Sequence, residues 1–110
     1  AGDIASATYD QGNAAVQGYL YQMCYALAMG DLDRGDAFDR IARRIWQRYM
    51  RDIGGGAAKR RGLAPYRDMK RNMYRRCLQS FPPLVADRLR QAAANLQGAE
   101  ELDGPPPDEG

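Results

Sequence analysis

Apolar residues recur three and four positions apart along most of this chain, the spacing of one helix face. No stretch alternates with the period of two that marks a strand. The first predicted helix spans about residues 13–29, with Asn13 as N-cap and Gly30 as its stop. Val16, Leu20, Met23 and Leu27 form its core stripe. Tyr21 and Tyr25 project from the other side, beside Ala14 and Ala28, and only Gln17 and Gln22 are strongly polar. A helix apolar all round is either central in its domain or covered by a partner. Tyr21 and Tyr25 therefore mark a candidate oligomer interface.

The second predicted helix runs from about residue 36 to 53 and ends at Gly54. Phe38, Ile41, Ile45 and Tyr49 make its buried face, with Trp46 at the flank. Arg40, Arg44, Arg48 and Arg51 occupy the other side, and Asp36 and Asp39 each precede an arginine by four residues. A Gly-rich basic loop, residues 54–62, leads to a third helix that begins at Pro65, where a missing N–H costs nothing. Tyr66, Met69, Met73 and Cys77 face inward there, with Arg67, Arg71 and Arg75 on an outer row. Phe81-Pro82-Pro83 breaks the chain before a last helix, about residues 84–96, amphipathic through Val85, Leu89, Ala92 and Leu96. Four helices with short connections imply an all-α four-helix bundle. Residues 1–12 read as a loose lead-in, 13–97 as one helical domain and 98–110 as a disordered acidic, Pro-rich tail.

Length agrees with a single domain, since 110 residues supply one thin core. Charge changes the picture more. The net is only +2, yet residues 40–76 hold 13 Lys/Arg against Asp52 and Asp68, a local net of +11. The remainder carries −9. Such a split points to compensation within the chain, to an acidic partner, or to both.

The chemistry-bearing residues are few. The chain has no histidine, which removes the commonest general base and the commonest metal ligand. Two cysteines cannot build a tetrahedral zinc site. We therefore expect no enzyme, no metal and no cofactor. Cys24 and Cys77 lie on the inward sides of the first and third helices, and a disulfide between them is expected, because so small a domain benefits from a staple. The alternative is a pair of small buried thiols. Residues 31–36 resemble a calcium loop only superficially: Gly35 comes one position early, and Ala42 stands where the bidentate Glu belongs. Gly54-Gly55-Gly56 with Lys59-Arg60-Arg61 lacks the phosphate-loop spacing. The arginine rows are a candidate nucleic-acid surface, but no recognition motif accompanies them and nucleic acid is disfavoured as partner.

With these residues in view, the chain resembles the small helical immunity proteins that neutralise type VI secretion amidases. The likeness rests on Tyr21-Gln22-Met23-Cys24-Tyr25-Ala26-Leu27-Ala28, on Tyr74-Arg75-Arg76-Cys77-Leu78, and on Asp87-Arg88-Leu89-Arg90-Gln91. The resemblance implies a periplasmic all-α protein, mature after signal-peptide removal, that occludes the groove of a cognate peptidoglycan amidase, in some members as a homodimer. An inhibitor of that kind needs something flexible to enter a groove. Gly54, Gly55, Gly56, Lys59, Arg60 and Arg61 are the candidate contact, supported by Arg48 and Arg51 of the second helix; the alternative for this loop is a plain connector. A small interaction protein of other purpose is the second reading, and an Arg-mediated nucleic-acid binder the third. No membrane partner is expected, since no window has the roughly 18–20 apolar residues of a span.

Overall fold

Gly30 takes a left-handed backbone, φ +85°, a conformation glycine reaches without a Cβ clash. It stops the first helix at the expected place. That helix, α1 (Gly2–Ala28), has 27 residues and is about 40 Å long. The computed structural model describes residues 2–50, 64–96 and 100–103. Packed against α1 are α2 (Leu32–Ile45), α3 (Ala64–Ser80) and α4 (Pro83–Ala94), and a four-residue α5 (Glu100–Asp103) rests on α3. The described residues form an all-α bundle and contain no strand. Among them no helix is long and apolar enough to cross a membrane.

Several boundaries move from where the pattern put them. α1 starts at Gly2, not at Asn13, so residues 2–12 are helix rather than a loose lead-in. No proline occurs before Pro65 and the small residues here carry no strong helix breaker, so the helix continues through Gly12. A Cβ at Gly12 would lie 2.5 Å from the Met50 sulfur, so α1 and the end of α2 meet closely at this point. α2 starts at Leu32, because the Asp31 carboxylate caps it by accepting from the Arg34 backbone N–H at 3.1 Å. α4 begins with Pro83 at its first position. In the acidic end, expected to be a disordered tail, residues 100–103 are helical and Leu102 is buried.

The buried face of α2 is also rotated from the expected one. Ile41 and Tyr49, assigned to the core, are 40% and 53% exposed, whereas Ala42, Trp46 and Met50 are buried. Two local features turn the helix. Gly35 sits so close to α1 that a Cβ would lie 2.5 Å from Leu27 Cδ2, and this fixes which side of α2 approaches. The segment Trp46–Met50 then forms a π-helical turn, whose extra residue per turn brings Met50 inward in place of Tyr49.

Cys24 and Cys77 do meet, in the centre of the core between α1 and α3, but as free thiols. They stand 4.1 Å apart, twice the roughly 2.05 Å of a disulfide bond. The expected staple is therefore replaced by two small apolar-like side chains, both buried in the core. The weak hydrogen bond to Cys77, and then burial, push the Cys24 thiol above its ordinary range.

Candidate functional site

Three regions hold the residues that chemistry or recognition would use. The first is a seam of charge between α2, α3 and α5. Lys70, only 6% exposed, donates to Asp39 Oδ2 at 3.0 Å and to Glu101 Oε1 at 2.8 Å. Glu101 also accepts from Arg43 at 2.9 Å and from Arg67 at 3.2 Å. The Tyr66 hydroxyl donates to Asp39 Oδ1 at 2.5 Å, while Arg43 lies over the Tyr66 ring at 4.9 Å. Burial opposes ionisation of Glu101, yet the hydrogen bond and charge of Lys70, joined by Arg43, hold its carboxyl down at about 2. Burial and the Asp39 carboxylate push the Tyr66 hydroxyl above its ordinary range. Both carboxylates and all three cations are thus engaged with one another. The seam ties α5 to the bundle, and Leu102 beside it lines a small cleft together with Met23, Leu27 and Leu96.

Sequence patterning missed the two members that matter most. Glu101 belongs to a stretch read as a solvated tail, and Asp39 was assigned only to local helix chemistry. Its pair with Arg43 at 3.5 Å, like that of Asp36 with Arg40 at 3.0 Å, does form as the four-residue spacing predicts. The signal for the rest was present as the +11 middle facing acidic ends, and as one leucine among the acids at 100–103. The outer row expected on α3 dissolves for the same reason: Arg67 is drawn onto Glu101 and Arg71 is buried, so of that row Arg75 alone is exposed.

The second region is the basic side of α2. Arg40, Arg44 and Arg48 follow at intervals of four and are all exposed. Arg44 and Arg48 have no ion-pair partner among the described residues, whereas Arg40 has Asp36. Gly54, Gly55, Gly56, Lys59, Arg60 and Arg61, with Arg51, lie outside the described residues.

The third region is the outer face of α1. Tyr21 and Tyr25 are 45% and 50% exposed, and Met29 follows them at the same spacing, also half exposed. Ala28, grouped with the tyrosines on sequence pattern, belongs to the core. α4 packs on α1 while Tyr21 and Tyr25 stay half exposed; Tyr21 meets the edge of Phe81, ring centres 6.0 Å apart. On one side Tyr21, Met73, Arg76 and Cys77 border a recess of about 470 Å³. On the other, Tyr25, Met29, Arg34 and Phe38 border one of about 280 Å³. No family model matches this chain, and comparisons with curated proteins and with solved structures find no match either.

Proposed function

We propose that this chain is a binding protein rather than a catalyst, and specifically an immunity protein that inhibits a secreted peptidoglycan amidase by occupying its groove. The observation that carries the binding role is the division of its cations. Lys70, Arg43 and Arg67 are paired with Asp39 and Glu101, while Arg44 and Arg48 stand exposed in a row along α2 and the π turn that follows it. Exposed guanidinium groups on a fixed frame suit recognition of carboxylates on another protein, and they speed association and select the partner more than they add affinity. The amidase as target rests on the resemblance. Its three segments fall on α1, α3 and α4, and the first two of these helices carry the two thiols. With the cysteines unbridged, the periplasmic part of the proposal rests on the resemblance alone.

The test compares binding and inhibition of the cognate peptidoglycan amidase for two variants. One replaces Arg44 and Arg48 with glutamate, the other Lys59, Arg60 and Arg61 with alanine. The expected result is a loss of affinity of about tenfold or more, near 1.4 kcal/mol, for at least one variant with helical content unchanged. Affinity within threefold for both would place the contact elsewhere. Binding of duplex DNA that vanishes in moderate salt, with no effect on the amidase, would favour the nucleic-acid class.

A further inference from the structure

Sulfur gathers inside this bundle. Met23, Cys24, Met50, Met73 and Cys77 belong to the core and Met69 packs against it, so Met29 is the one exposed sulfur side chain. At the centre the sulfurs of Cys24 on α1 and Cys77 on α3 stand 4.1 Å apart. Met73 precedes Cys77 by four residues, which sets the two as neighbours on one helix face. Met73 and Cys77 also line the recess of about 470 Å³ beside Tyr21.

We infer that Cys24, Cys77 and Met73 form a three-sulfur site for one soft monovalent cation, copper(I), approached through that recess. The separation of the thiols fits chelation. Two ligands of a trigonal ion, each at the roughly 2.3 Å of a metal–thiolate bond, stand about 4.0 Å apart. The side-chain chemistry selects the ion, because thiolate and thioether sulfur favour copper(I) over harder divalent cations. Among the described residues no three His, Cys, Asp or Glu side chains converge, so a zinc ion would lack its tetrahedral set. Access comes from the α3 side: Cys24 and Cys77 are 0% and 1% exposed, but Met73 and Cys77 border the recess. The unbranched Met73 side chain can swing its sulfur without a backbone shift. Binding replaces two S–H bonds with two S–Cu bonds and releases both protons to solvent, with copper unchanged in oxidation state. Two thiolates and one cation leave a single net negative charge. Arg76 borders the same recess, its guanidinium donating to Gln17 Oε1 at 3.1 Å, and offsets that charge. This site does not depend on the amidase proposal.

The test adds copper(I), without oxygen, to the reduced full chain in competition with the chelator bicinchoninate. The expected result is one copper per chain, a thiolate-to-copper charge-transfer band and a raised unfolding temperature. X-ray absorption at the copper edge should find three sulfur neighbours. Met73→Leu conserves core volume, so it should keep its helical content while losing copper affinity by about tenfold or more. Cys24→Ala and Cys77→Ala should each abolish uptake. A wild type that leaves all the copper with bicinchoninate overturns the inference. So do uptake that survives both cysteine substitutions, a copper edge showing only nitrogen or oxygen neighbours, or a Met73→Leu variant that binds as the wild type does. Where a cysteine variant fails to fold, the wild-type absorption spectrum and the Met73→Leu affinity decide.

Discussion

The seam between α2, α3 and α5 and the outer face of α1 invert the usual distribution of side chains. The seam buries a lysine and a tyrosine and partly buries two carboxylates, whereas the α1 face exposes two tyrosines and a methionine. Buried charge is stable only when each group meets its opposite, and here Lys70, Asp39, Glu101 and Arg43 do so at 2.8–3.5 Å. Such a closed set has nothing left with which to bind a ligand. The α1 face is open in the opposite sense: its apolar side chains stay half exposed, with Tyr21 meeting the edge of Phe81. Paired charge therefore holds the seam together, whereas the α1 face leaves apolar side chains at the surface.

The contrast breaks most severely at Lys70. Lys70→Met leaves the partly buried Asp39 and Glu101 with only Arg43 and Arg67 as cations, and a loss of about 2–3 kcal/mol is expected in urea unfolding. The double variant Lys70→Met, Glu101→Gln should recover part of it. A loss under about 1 kcal/mol for the single variant would show that the seam is solvated and not structural.

Acid attacks the same seam with a defined sign. Glu101 is held at about 2 when folded and returns to roughly 4.3 when unfolded. The unfolded chain thus binds the proton first. Stability should be intact above about pH 5 and decline as pH falls toward 2, by roughly 2–3 kcal/mol from this group. Glu101→Gln should remove that slope, and an unchanged slope would assign the acid sensitivity to other carboxylates.

The smallest effects come from two glycines, one in each kind of environment. Gly35→Ala places a methyl group 2.5 Å from Leu27 Cδ2 in the core, and a net loss of about 1–2 kcal/mol is expected in spite of better helix propensity. Gly18→Ala meets open space and should stabilise the monomeric chain by about 0.5–1 kcal/mol. Equal effects of the two substitutions in thermal unfolding at low concentration would contradict the close approach of α1 and α2 at Gly35.

Helical periodicity, the stop at Gly30 and the prolines at 82 and 83 are local signals, and from them the sequence alone determined an all-α chain, the end of α1 and the start of α4. The core members Val16, Leu20, Met23, Leu27, Cys77 and Leu89 were legible for the same reason, since a 3.6-residue period names a face without reference to a neighbour. Which face of α2 turns inward was not legible, because Phe38, Ile41, Ile45 and Tyr49 form a stripe as plausible as the one used. The choice fell to the close packing of Gly35 on Leu27 and to the π turn at Trp46–Met50. Cys24 and Cys77 could be placed in one core by pattern, but whether their sulfurs sit at bonding distance is set by the separation of α1 and α3. The seam shows the division most clearly. Composition announced a positive middle and negative ends, yet Lys70 meets Asp39 and Glu101 across 31 residues of sequence in each direction. Charge attraction has no sequence period, so only the packing of α5 beside α3 could decide which acid neutralises which base.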